Sequence, residues 1–178
     1  MRVDVPFVKG AAMKVIFVRH GEAEEAGKGG DESRRLTRAG RKDVQNTAAA
    51  LRRLKVKLEA ILSSPLLRAE QTAEIIATSH GVSEVEISQL LAPPTDAKAL
   101  RSRLGQLLAE GFQAVAVVGH APSLDDCIGM LVASRPRIGV SLSKAGAACV
   151  ELPEDWPDAM PELAWVMTRK QLAMLAGA

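Results

Sequence analysis

Two apolar runs of this chain end abruptly on chemistry. Val15-Ile16-Phe17-Val18 runs into Arg19-His20-Gly21, and Ala114-Val115-Ala116-Val117-Val118 runs into Gly119-His120. A third stretch, Ala60-Ile61-Leu62-Ser63-Ser64-Pro65, is followed shortly by Arg68. Two guanidiniums can each grip oxygen pairs in a fork geometry suited to phosphate. With two imidazoles beside them, Arg19 and Arg68 call for a small dianion. A metal centre fits poorly, because Arg19 would repel a divalent cation beside His20 and no His-x-x-x-His or carboxylate cluster completes a coordination sphere. Neither metal nor cofactor is expected.

The elements around these residues must bring them together. Short runs of β-branched, apolar residues read as strands buried on both faces, as in a parallel sheet. In such sheets ligands bind just beyond the carboxyl ends of the strands, which is where Arg19, His20 and His120 fall. Gly21 removes the Cβ that would keep backbone or ligand at a distance. Ser64-Pro65 reads as a helix start, Ser as cap and Pro at the first helical position. Arg68 in that first turn opposes the helix dipole, and a bound anion would resolve the conflict; pairing with Glu70 or Glu74, or exposure to solvent, is the other reading. Ser123-Leu124-Asp125-Asp126 matches a capping box opening a helix with Leu124, Ile128 and Leu131 inward.

Thr37 starts a further helix, with Val44, Ala48, Leu51 and Leu54 as its apolar stripe. Its other face carries Arg38, Arg41, Lys42, Arg52 and Arg53, a solvated face or a surface for an acidic protein. Val85 and Ile87 form a short strand, and Thr95 or Asp96 caps a helix through Leu100, Leu104, Leu107 and Leu108. His80 before Gly81 reads as a helix end. Residues 147–150 and 163–167 make an antiparallel pair, residues 22–33 a Gly-rich loop over the first strand end, and residues 171–178 a frayed tail. The whole predicts a largely parallel sheet with an antiparallel edge.

Length and composition agree with this. A chain of 178 residues, 47% hydrophobic and 25% charged, fits one ordinary domain, here residues 13–178 after an extension over residues 1–12. Lys and Arg number 23 against 21 Asp and Glu, and aromatic residues are 3% with no Tyr, so nucleic acid is not an expected partner. No apolar run approaches the ~20 residues that span a bilayer. Cys127 and Cys149 have no framework spacing and lie in apolar segments. A cytoplasmic location without membrane attachment is expected; composition leaves the oligomeric state open.

The motifs resemble the histidine phosphatase, or phosphoglycerate mutase-like, superfamily, and within it the SixA-type phosphohistidine phosphatases. The marks are Arg19-His20-Gly21, Leu36-Thr37-Arg38-Ala39-Gly40, Ser63-Ser64-Pro65-Leu66-Leu67-Arg68-Ala69-Glu70-Gln71-Thr72-Ala73 and Gly119-His120, and the resemblance spans Met13 to Met167. It implies a three-layer α/β/α sandwich with His20 as the nucleophile that becomes phosphorylated. Arg19, Gly21, Arg68 and His120 would bind the phosphoryl group. The implied substrate is phosphohistidine on a partner protein, with inorganic phosphate as product. The alternatives are a phosphomonoesterase or mutase acting on a small phosphate ester, and a non-catalytic phosphate-binding regulator.

The implied chemistry is physically coherent. A neutral ring nitrogen of His20 can attack phosphorus in line, while Arg19, Arg68 and a protonated His120 stabilise charge on the equatorial oxygens. Neighbouring cations lower the His20 pKa and favour the neutral ring. Two departures matter. Relatives often continue Arg-His-Gly with Ser and Asn, whereas Glu22-Ala23-Glu24-Glu25 follows here. Relatives of the mutase type also carry a Glu that protonates an alcohol leaving group, and the nearest polar residue here is Gln89, leaving Glu22 as a substitute proton donor. Imidazole, with a conjugate-acid pKa of about 6.5, needs far less help in leaving than an alkoxide does, which favours phosphohistidine.

Overall fold

The structure is a computed structural model that describes residues 11–27 and 29–178. In chain order the elements are β1 (Ala11–Arg19), α1 (Arg38–Arg53), β2 (Ala60–Ser63), α2 (Leu67–His80), β3 (Val85–Ile87), a 3-10 turn (Gln89–Leu91), α3 (Ala97–Ala109), β4 (Ala114–Gly119), α4 (Ser123–Ala133), β5 (Ala147–Pro153), β6 (Glu162–Met167) and α5 (Arg169–Ala176). The strands form one sheet in the order β3-β2-β4-β1-β5-β6. The pairings β2–β3, β2–β4 and β1–β4 are parallel, while β5 runs antiparallel to both β1 and β6.

Sequence dictates the layering directly. Along β1, Met13, Val15 and Phe17 face one side and Ile16 and Val18 the other, all of them buried. The first face packs under α3 and α4, through Leu100, Leu104, Leu107, Leu124 and Ile128. The second packs under α1, α2 and α5, through Val44, Leu51, Ala73, Ile76 and Leu172. A central strand covered on both sides explains the unbroken apolar run. Truncating Phe17, which is 0% exposed, to Ala would cost about 3–5 kcal/mol. Cys127 and Cys149 are buried among these side chains, and burial pushes both thiols up to about 12.

Thr37 caps α1 by accepting from the Gly40 N–H at 2.9 Å, and Asp96 caps α3 through the Ala99 N–H at 2.9 Å, both at the expected positions. Elsewhere the boundaries differ. Helix α2 begins at Leu67, after a Leu66 cap whose apolar side chain has no acceptor; Ser64, two residues earlier, accepts the Leu66 N–H at 3.4 Å and bonds His120. The Ser123 capping box does not form: Pro122 is the cap residue, in helical conformation, so Ser123 already lies inside α4. The expected frayed tail is the helix α5, opened by a Thr168–Gln171 capping box and docked by buried Leu172. Strand β1 begins at Ala11, so residues 11 and 12 of the expected extension belong to the sheet; residues 1–10 lie outside the described residues. Among the described residues no helix is long and apolar enough to cross a membrane.

The parallel core fixes where chemistry can occur. Adjacent strands β1 and β4 send their helices to opposite faces, α1 to one and α4 to the other. A crevice opens beyond the carboxyl ends of two such strands, at the point where the connections diverge.

Candidate active site

The register places two imidazoles side by side. Arg19 pairs with Gly119 in the β1–β4 ladder, so the next residues, His20 and His120, leave the sheet together. Their ring centroids stand 5.0 Å apart at an interplanar angle of 56°. Both are buried, at 8% and 5% exposure. Arg68 reaches the same place from the first turn of α2, and its Nε donates to His20 Nε2 at 3.3 Å. Arg19, His20, Arg68 and His120 thus converge, although they come from three strand ends.

Hydrogen bonds fix the state of His20. Its Nδ1 lies 2.7 Å from the Gly21 carbonyl, which can only accept, so the ring proton sits on Nδ1. Nε2 keeps its lone pair. Burial lowers the His20 pKa to about 3, helped by His120, Arg68 and Arg19 and opposed by the Gly21 carbonyl. The ring is therefore neutral at neutral pH, with burial outweighing the neighbouring cations as the cause.

His120 is held by Ser64, whose Oγ is 2.7 Å from Nε2. The Ser64 hydroxyl, with one proton and two lone pairs, also accepts from Leu66 N–H at 3.4 Å and can serve either tautomer of His120. The other ring nitrogen, Nδ1, is buried and has no hydrogen-bond partner among the described residues. Burial, then the cations Arg68 and Arg19, bring the His120 pKa down to about 4, with Asp31 opposing. His120 is therefore a neutral ring and not the third cation that sequence reasoning allowed. Arg19 donates Nη1–H to the Leu142 carbonyl at 2.8 Å, and its buried Nε–H also lacks a partner among the described residues. Two buried nitrogens without partners, one of them the Arg19 Nε–H donor, flank His20. Such groups call for an oxygen-rich ligand.

The supports come from residues that carry no obvious signal. Thr72 accepts the Gly21 N–H at 3.2 Å and donates to the Arg68 carbonyl at 2.7 Å, tying β1 to α2. Asp125 accepts the Leu142 N–H at 3.0 Å, fixing the loop whose carbonyl holds Arg19. Burial raises the Asp125 carboxyl above its ordinary range. A side chain on Gly21 would meet Gly40 O and Val44 Cγ2, each at 2.8 Å, so this glycine lets α1 approach β1. Glu22 does not join the cluster: its half-exposed carboxylate pairs with Lys144 Nζ at 3.5 Å. Gln89 is exposed in the 3-10 turn after β3.

Arg68 pairs with neither Glu70 nor Glu74. Its partner is Asp31, whose carboxylate also accepts from Arg34. Sequence reasoning missed Asp31, Ser64, Thr72 and Asp125 as parts of the site. Among the described residues, no group of three or more His, Cys, Asp or Glu side chains is placed to hold a metal ion.

Comparison with known proteins gives the same picture. Residues 15–92 match the profile of the histidine phosphatase superfamily, branch 1. The phosphohistidine phosphatase SixA of Escherichia coli K12 is 35% identical over 122 residues, covering 68% of this chain and 73% of that protein. An uncharacterised protein of Picosynechococcus is 34% identical over 135 residues, covering 75% of this chain and 82% of that one. The solved structure of protein histidine phosphatase SixA complexed with tungstate superposes with a TM-score of 0.82 at 29% identity, over 90% of this chain and 99% of that one. A phosphoserine phosphatase of Entamoeba histolytica shares the fold at 18% identity, with a TM-score of 0.64 over 90% of this chain and 99% of that one. With the strand-end cluster of Arg19, His20, Arg68 and His120 on a shared three-layer scaffold, the chain belongs to the histidine phosphatase superfamily and is a phosphatase of its branch 1.

Proposed function

We propose that this phosphatase removes the phosphoryl group from phosphohistidine on a partner protein, through a phosphohistidine formed on Nε2 of His20. The observation that carries this reading is the neutral, Nδ1-protonated His20 flanked by two buried nitrogens without partners among the described residues, Arg19 Nε and His120 Nδ1. A phosphoryl group supplies the oxygen that the Arg19 Nε–H lacks, and one for His120 Nδ1 when that nitrogen carries the ring proton. The lone pair on His20 Nε2 attacks phosphorus, the bond to the substrate imidazole breaks, and that ring, carrying a proton on its other nitrogen, leaves as neutral imidazole with the bonding electrons. Arg68 Nε, released from Nε2, joins Arg19 and His120 on the equatorial oxygens, where charge is greatest in the transition state. Water then attacks phosphorus, the Nε2–P bond breaks with its electrons returning to Nε2, and the water proton goes to the departing phosphate or to solvent, giving inorganic phosphate and neutral, Nδ1-protonated His20.

The SixA of Escherichia coli, named a phosphohistidine phosphatase, supports the substrate class, and a solved SixA protein histidine phosphatase is complexed with tungstate, an oxyanion. Among the described residues no carboxylic acid is bonded to the His20 cluster in a donating role, in keeping with a leaving group that departs without strong assistance. Incubating the pure protein with a phosphohistidine protein and, separately, with free sugar phosphates tests the reading. Dephosphorylation of the protein at a kcat/KM far above that for the esters is expected. Preference for the esters would replace this reading with the small-molecule one.

A further inference from the structure

The guanidinium of Arg68 is already engaged on the side away from His20. Its Nη1 donates to the Asp31 backbone carbonyl at 2.8 Å and its Nη2 to Asp31 Oδ2 at 2.9 Å. The other carboxylate oxygen, Oδ1, accepts from Arg34 Nη1 at 2.9 Å. Next to it, the Glu32 carbonyl accepts the Leu67 N–H at 3.2 Å, in the first turn of α2. One short stretch of loop thus supplies oxygens both to the guanidinium and to the helix terminus that a phosphoryl group would otherwise use.

The two halves of the Asp31–Arg68 pair are unequal. The Arg68 side chain is 6% exposed and fixed by His20, whereas the Asp31 side chain is 56% exposed. Asp31 follows Gly29 and Gly30, and Gly30 has a φ of +74°, so the carboxylate is delivered from a turn and not from a packed element. The carboxylate is the displaceable partner. Hydrogen bonds from Arg34 and Arg68 hold the Asp31 carboxyl below the usual carboxylate range, so it is charged wherever the enzyme works.

We propose that Asp31 is an internal electrostatic competitor for the phosphoryl site, a carboxylate that holds Arg68 from its Nη side and weakens the grip of the guanidinium on an incoming phosphoryl group. This rests on the phosphoryl-binding role given to Arg68 above. The carboxylate opposes every anion at the site by its charge, and most of all free inorganic phosphate, which brings no other contacts. A phosphoryl group presented by a protein can offset the weakened grip through contacts outside the pocket. Asp31 therefore selects for protein-borne phosphoryl groups and hastens departure of the product.

Calorimetric titration of inorganic phosphate into the wild-type protein, Asp31→Asn, Asp31→Ala and Arg68→Ala tests the proposal. Removing one negative charge beside the bound anion should tighten phosphate binding about tenfold in both Asp31 variants. Asn is isosteric and Asp31 is exposed, so the melting temperatures should stay close to wild type. Equal or weaker phosphate binding by folded Asp31→Asn would overturn the proposal and make Asp31 a residue that positions Arg68. Arg68→Ala should bind phosphate more weakly than wild type. If it binds equally well, the phosphoryl role of Arg68 fails and the proposal with it; weakened binding by Arg68→Ala together with unchanged binding by Asp31→Asn overturns the proposal alone and leaves that role standing.

Discussion

Arg68 Nε donates to His20 Nε2 across 3.3 Å, so in the proposed reaction the lone pair that would attack phosphorus is covered by the guanidinium that would bind the phosphoryl oxygens. Burial, with the nearby cations adding to it, opposes protonation of the ring and lowers the His20 pKa to about 3. On that proposal, entry of a phosphoryl group would move the Arg68 N–H from nitrogen to oxygen. Nucleophile and anion site would become available in one event.

His20→Ala should abolish turnover, lowering kcat by roughly three orders of magnitude or more, and should abolish trapping of phosphate on the protein. His120 is not placed to take over the attack, because its Nε2 is held by the Ser64 hydroxyl at 2.7 Å. Acid-labile phosphate retained on the variant after quenching would remove His20 as the nucleophile.

Arg68→Ala should weaken inhibition by phosphate or vanadate roughly 10- to 100-fold, the range for losing charge-assisted hydrogen bonds of about 1.5–3 kcal/mol. Its melting temperature should fall only slightly, because the abandoned Asp31 is half exposed and can be hydrated. Unchanged inhibition with a sharp loss of thermal stability would assign Arg68 to the scaffold.

Stability should decline in mild acid. Each imidazole titrates near its ordinary 6.5 in the unfolded chain, but in the folded protein His20 is lowered to about 3 and His120 to about 4. Between these values the unfolded chain binds more protons, so unfolding is favoured as pH falls. The stabilisation is complete above pH ~6.5 and drains away toward pH ~4, at up to about 1.4 kcal/mol per pH unit for each ring. Burial lowers the third imidazole, His80, as well and adds to the same slope, so denaturant midpoints measured from pH 7 to pH 4 should show this slope, reduced but not removed in His20→Ala. An unaltered slope in that variant would mean that His20 is not buried neutral.

Legibility in the sequence followed the range of the interactions. Strands β1 and β4 announce themselves because burial on both faces demands a continuous apolar run, and the run stops where the sheet stops; His20 and His120 could be placed from that alone. Helix α1 declares its start through Thr37, whose cap is local. Ser64 carries a cap signal, yet the cap falls two residues later at Leu66, and only the tertiary fold brings His120 within 2.7 Å of the Ser64 hydroxyl. Asp125 was read as part of a capping box, yet its carboxylate is taken by Leu142, from a loop with no periodicity. Asp31 lies 37 residues from Arg68 in a Gly-rich loop, and no local pattern links them. The helix α5 was missed because eight residues give too short a stripe, and its stability comes from docking on α1.

The last expectation concerns the leaving group. A proton donor for an alkoxide must be a carboxylic acid within reach of the apical oxygen and still protonated near neutral pH. Glu22 is paired with Lys144 and half exposed, Asp31 is ionised against Arg34 and Arg68, and Gln89 carries an amide. Asp125 has a raised pKa, but one of its oxygens is committed to the Leu142 N–H. With no acid assisting, the first chemical step should slow steeply as the leaving group becomes more basic. Phosphohistidine and activated aryl phosphates should then react well and alkyl phosphates poorly, in single-turnover rates measured across a series of esters. A flat series, with phosphoryl transfer limiting, would require a donor, and Asp125→Asn and Glu22→Gln would identify it by restoring the steep dependence. That outcome would also move the preferred substrate from a phosphorylated protein to a small phosphate ester.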